Sequence, residues 1–73
     1  MSFEHLCTLI RRTLELPDEF ELLPDMTFPE VPGWDSLGWV NILNAISGSI
    51  DEELPLEDIV DVETIGQLHK LVA

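Results

Sequence analysis

At 73 residues, 45% of them hydrophobic, the chain has the length of one small domain and the apolar content of a globular fold; so thin a core leaves little room for an enzyme active site with walls and a lid. Fifteen carboxylates against three basic residues give a net charge of −12, so phosphate backbones and anionic membranes repel this surface, and the charge either favours a basic protein surface as partner or, equally, only keeps the chain in solution. No run of about 18 apolar residues is present to cross a membrane, Met-Ser-Phe-Glu-His lacks the basic and apolar regions of a secretory signal, and the lone Cys7 makes neither an internal disulfide nor a thiolate metal cluster, so the expected compartment is the cytoplasm.

Residues 3–14 carry a helical period. Phe3, Leu6, Cys7, Ile10 and Leu14 fall on one face, Ser2 is placed to cap the start, and Arg11 and Arg12 suit the C-terminal end of the dipole. Residues 16–34 hold Pro17, Pro24, Pro29 and Pro32, each removing a backbone donor and restricting its predecessor. The same stretch contains Phe20, Leu22, Leu23, Met26, Phe28, Val31 and Trp34, so it reads as a long loop pinned to the core rather than a free linker.

Asp35 opens the second helix as its N-cap, and Trp39, Ile42, Leu43 and Ile46 form its buried face. Ser47-Gly48-Ser49 is the expected end, although Ile50 would continue the apolar line. Leu54-Pro55 leads into a short helical turn with Leu56, Ile59 and Val60. Thr64 and Gln67 have the spacing of a capping box, followed by a last amphipathic face of Ile65, Leu68 and Val72. The fold expected over 1–73 is a single all-α domain: a small four-helix bundle, three main helices plus one short one, with a long first loop.

On the second helix, Leu37 and Val40 point away from the core face and flank Ser36. The Ser36 hydroxyl lies in the first turn, where backbone amides are unpaired and the dipole is positive, so a phosphate ester is tolerated there. Asp35 is placed to orient that serine or to hold a metal ion for a partner enzyme. By position alone, Ser36 reads first as an ordinary surface serine at a helix start.

Gly33-Trp34-Asp35-Ser36-Leu37, with Val40 beyond it, resembles the attachment motif of the acyl carrier proteins. Helix, long loop, Asp-Ser-Leu helix, short helix and last helix follow that family's order along the whole chain, and the acidity matches. The resemblance implies that Ser36 bears 4′-phosphopantetheine through a phosphodiester and that acyl groups ride on the distal thiol as thioesters. It implies a phosphopantetheinyl transferase as partner, together with acyl-loading and acyl-transfer enzymes that present basic patches. Asp35, Leu37 and Val40 are then the partner-binding residues, the chain catalyses nothing itself, and a monomer is expected of a carrier that visits many enzymes.

Carriers of fatty acid synthesis resemble one another in bearing acids along the second helix, yet residues 36–47 here hold no charge. Gly38, Asn41, Asn44 and Ser47 stand at the places where acids are expected. The acids gather instead at Asp51, Glu52, Glu53, Glu57, Asp58, Asp61 and Glu63 and in the first loop. Trp34-Asp35-Ser36-Leu37-Gly38 with Asn41 looks more like specialised carriers of surface-polysaccharide, lipid-modification or secondary-metabolite pathways.

Trp39 reads as a filler of a small core; the resemblance adds that it stands near the family's acyl cavity, which it would narrow. His5 and His69 have no partner at ligand spacing, so no metal site is expected. Cys7 reads as a small buried hydrophobe. The acidic runs lack the glycine turn of an EF-hand loop. Two classes therefore stand: a covalent carrier of acyl, or alternatively aminoacyl or peptidyl, groups, and an acidic helical interaction module in which Leu37 and Val40 are plain contact residues.

Overall fold

Ser2 begins the first helix through its side chain: Oγ accepts from the His5 amide at 3.0 Å, and α1 runs Phe3–Thr13. The computed structural model describes residues 1–51, 54 and 56–72, and of Leu56 only the backbone. Leu6, Cys7 and Ile10 of α1 are buried, with Phe3 and Leu14 half-buried at the ends of the same stripe. Arg11 and Arg12 stand in the last turn. Arg11 Nε also donates to the Phe20 carbonyl at 2.8 Å, tying the start of the first loop back to the helix.

The loop is pinned, as its apolar content implies. Leu22, Phe28, Val31 and Trp34 are buried and Phe20 and Met26 half-buried, while Leu23 faces outward. A single 3-10 turn, Phe28–Glu30, uses Pro29 at its start, where a missing N–H costs nothing. The loop then crosses the beginning of the last helix. The Met26 carbonyl accepts from the Ile65 amide at 3.1 Å and the Pro24 carbonyl from the Gly66 amide at 2.8 Å. These are first-turn amides that have no acceptor within their own helix.

The second helix, α2, is Ser36–Ile50. Ile42 and Ile46 are fully buried; Trp39 and Leu43, expected beside them, are half-buried against the same core. Its end differs from the expected stop at Ser47-Gly48-Ser49. The helix runs on because Ile50 packs against the core, and the turn falls on Asp51, which takes the left-handed conformation at φ 56°. A short helix, α3, spans Leu56–Ile59, with Ile59 buried and Val60 fully outward. Pro55, the Leu56 side chain, Glu52 and Glu53 lie outside the described residues.

The last helix, α4, is Ile65–Val72. The capping box closes in both directions: Gln67 N donates to Thr64 Oγ1 at 3.2 Å, and Gln67 Oε1 accepts from the Thr64 amide at 3.4 Å and from the Glu63 amide at 2.7 Å. Ile65, Leu68 and Val72 are buried as the period implies. At the far end, Phe3 of α1 meets His69 edge-on at 5.6 Å, and His69 Nε2 lies 3.0 Å from the Met1 carbonyl.

The described residues thus form the expected all-α architecture: four helices in order with a long first loop, and only one isolated bridge, Thr27 to Thr64. α1 packs on both α2 and α4. α1 and α2 run in opposite directions, because Leu14 at the end of α1 lies beside Gly38 near the start of α2, while His5 and Leu9 share a groove with Ala45 and Ser49. Cys7 sits inside this packing as a small hydrophobe, its Sγ 3.9 Å from the Leu22 carbonyl. Burial pushes its thiol above the ordinary value of 9.0; Arg11 opposes that rise and Glu4 adds to it.

Candidate functional site

The candidate site is the turn that launches α2. Asp35 is in extended conformation, and its Oδ1 accepts from the Gly38 amide at 2.8 Å. One carboxylate therefore caps the helix and places a negative charge at its positive end. The Asp35 amide donates to the Gly33 carbonyl at 3.1 Å, and the Trp39 amide to the Asp35 carbonyl at 2.9 Å. Both sides of Ser36 are held by these bonds.

Two glycines make the turn possible. Gly33 has φ 82°, a conformation that a side chain disfavours. At Gly38, a Cβ would come 2.5 Å from the Gly33 carbonyl oxygen and 3.2 Å from Leu14. Gly38 was read above as a place where an acid might stand on an exposed helix face. It is instead buried, and contact with the preceding turn requires glycine there. Of the other three positions, Ser47 is half-buried, and Asn41 and Asn44 are exposed.

Ser36 is exposed as the first residue of a 15-residue helix. The amides of Ser36 and Leu37 precede the first intrahelical hydrogen bond, so they remain free to face an anion on the hydroxyl. Leu37 is 68% exposed and Val40 53%. The two apolar side chains expected beside the serine are both on the surface, with Val40 one turn from Ser36.

Behind the turn stands an aromatic trio that the sequence period did not indicate. Phe28 lies 4.5 Å from Trp34 and 4.6 Å from Trp39, and the two indoles meet edge-on at 5.1 Å. Trp39 is half-buried and packs against the core beside the site. Trp34 is 9% exposed, and its Nε1 is buried with no partner among the described residues. An unpaired buried donor costs about 1–3 kcal/mol, a cost that burial of the ring offsets. Spacing rules do not reveal such a group, because loop aromatics have no period.

No helix of the described residues is long and apolar enough to cross a membrane. His5, His69 and Cys7 lie apart from the α2 turn: His5 exposed on α1 in the groove with Ala45 and Ser49, His69 against Phe3, and Cys7 in the core.

The geometry is that of a helical bundle with one exposed serine at a doubly braced helix start. The family model for the phosphopantetheine attachment site matches residues 4–72, and the chain belongs to that family. Proteins of this kind are carriers rather than enzymes; they take 4′-phosphopantetheine covalently and meet phosphopantetheinyl transferases and acyl-handling enzymes. Among solved structures, a protein from Mycobacterium tuberculosis provisionally described as an acyl carrier protein superposes with a TM-score of 0.83. It is 18% identical, and the match covers 96% of this chain and 92% of that one; at such identity the likeness speaks for the fold. The residues present fit the group: an exposed serine, first-turn amides without an acceptor in their own helix, and a neighbouring carboxylate whose Oδ1 accepts from the Gly38 amide.

Proposed function

We propose that the chain is an acyl carrier in which the Ser36 hydroxyl is the attachment point of 4′-phosphopantetheine. The observation that supports this most is the exposure of Ser36 at the α2 start, beside an Asp35 cap whose Oδ1 holds the Gly38 amide, with Asp35, Leu37 and Val40 all on the surface for a partner to meet. When bound, the group supplies a terminal thiol on which acyl units are held as thioesters. The chain's own residues do the rest. The Asp35 cap and the Gly33–Gly38 contact hold the serine at one orientation, so a transferase meets a preformed surface. The free first-turn amides stabilise the negative charge of the phosphodiester. Leu37 and Val40 supply apolar contacts to visiting enzymes, while the acids of the first loop and of 57–63 attract basic patches over distance.

The uncharged second helix favours a specialised pathway, such as surface-polysaccharide, lipid-modification or secondary-metabolite synthesis, over housekeeping fatty acid synthesis. Work in the cytoplasm as a monomer is part of the same proposal. An acidic interaction module is the competing reading, and one measurement separates the two. After co-expression with a phosphopantetheinyl transferase, intact mass is expected to show one added phosphopantetheinyl group, absent in Ser36→Ala. A wild-type chain that gains no mass would leave only the interaction module.

A further inference from the structure

All fifteen carboxylates and all three basic residues of this chain lie outside 36–50, so α2 is neutral from end to end. Its outward stripe consists of Leu37, Asn41, Asn44 and Gly48, spaced four, three and four residues apart, with Val40 alongside. Charge is thus withheld from the one helix face that adjoins Ser36, on a molecule that is otherwise crowded with acids.

Helix formation does not explain that composition. Glu and Lys are better helix formers than Asn, and an exposed helical glycine costs about 0.5–1 kcal/mol relative to alanine. A Cβ at Gly48 would meet nothing within 4 Å, so no neighbour in the chain requires glycine there. What neutral, low side chains do favour is repeated desolvation. Removing an exposed charge from water is costly unless a partner charge waits for it, whereas alkyl groups carry no such cost and an amide needs only a neutral hydrogen-bond partner. Interface centres are depleted of charge for that reason.

We infer that the enzyme surface that covers α2 is itself uncharged, and that basic patches on that enzyme meet the carrier only off this helix. The inference rests on the carrier reading of Ser36. It assigns Asn41, Asn44 and Gly48 to the contact together with Leu37 and Val40. The occupant is a carrier-processing enzyme with an apolar recess for Leu37 and Val40 and neutral hydrogen-bonding groups opposite the two asparagines.

The test uses a phosphopantetheinyl transferase that modifies the wild-type chain, with coenzyme A, and measures kcat/KM from intact mass against time. The substrates are Asn41→Glu, Asn41→Lys, Asn44→Glu and Asn44→Lys, each checked by thermal melting. Both positions are exposed, and both new residues favour helix, so the fold is expected to hold. Charges of either sign are expected to lower kcat/KM about tenfold or more, because each must be stripped of water without a partner. Faster modification of the Glu variants with slower modification of the Lys variants would place a basic patch over α2 and overturn the inference. The opposite pattern would place acids there and overturn it equally, and unchanged rates in all four would show that nothing covers the face. Failure of the wild type to gain mass at all is a different result, and it would remove the carrier reading itself.

Discussion

The Gly33 carbonyl oxygen and the α carbon of Gly38 are packed so closely that a methyl group on residue 38 would stand 2.5 Å from that oxygen. The contact locks the entry turn onto the first turn of α2, and Ser36 lies between the two. Gly38→Ala improves intrinsic helix propensity but forces the turn apart, and overpacking of this kind costs about 1–3 kcal/mol. Gly48→Ala adds its methyl group to open space and is expected to stabilise by about 0.5–1 kcal/mol. Urea denaturation of both variants checks the pair. Equal shifts in one direction would mean that the Gly33–Gly38 contact is unimportant.

Ser36→Ala is expected to leave the fold intact and to remove modification. The side chain is exposed, and Asp35 already provides the cap. A surface change of this kind moves stability by no more than about 0.5 kcal/mol. The check is a melting curve beside intact mass after co-expression with the transferase. A large melting shift contradicts the structural half, and retained mass addition contradicts the functional half.

Ile46→Ala tests the core beneath the site. Ile46 is fully buried, and truncating such a residue costs about 2–5 kcal/mol. A domain of this size holds only about 3–5 kcal/mol in total, so the variant is expected to be largely unfolded by circular dichroism at room temperature. A native-like spectrum and melt would show that the α2 face is not what holds the bundle.

Cys7 makes stability fall at alkaline pH. Burial holds its thiol protonated above the ordinary value of 9.0 in the folded state, whereas the unfolded chain loses that proton first. The contribution is therefore complete below 9.0 and is lost as pH rises toward the folded-state value. The chain has no tyrosine, and comparison with Cys7→Ala separates the thiol from every other group. Urea midpoints measured from neutral pH to about pH 10 are expected to drop in the wild type and to drop less in Cys7→Ala. Parallel curves for the two proteins would exclude the thiol as the cause.

Much of this fold was legible in the residues because it is local. Ser2 to His5, Asp35 to Gly38 and Thr64 to Gln67 are all bonds from a side chain to an amide three residues away, and the stripes of α1 and α4 follow from turn geometry alone. The outward setting of Leu37 and Val40 could be read the same way, since angle along a helix needs no knowledge of the rest of the chain. The motif around Ser36 is equally short.

What spacing could not supply was each contact between segments distant along the chain. The α2 end moved from Ser47-Gly48-Ser49 to Asp51 because Ile50 found the core. Gly38 changed from a missing acid to a required glycine because the Gly33 carbonyl folds over it. Trp34 and Trp39 became one cluster through Phe28, and the first loop gained its order by offering the Pro24 and Met26 carbonyls to amides of α4 some forty residues onward. The sequence by itself determined the helices, their caps and the serine that stands at the head of α2, since these depend on interactions within one or two turns. The tertiary structure alone decided where α2 stops, why its first turn admits only glycine at residue 38 and what braces the loop, because those energies arise only when separate segments exclude water together.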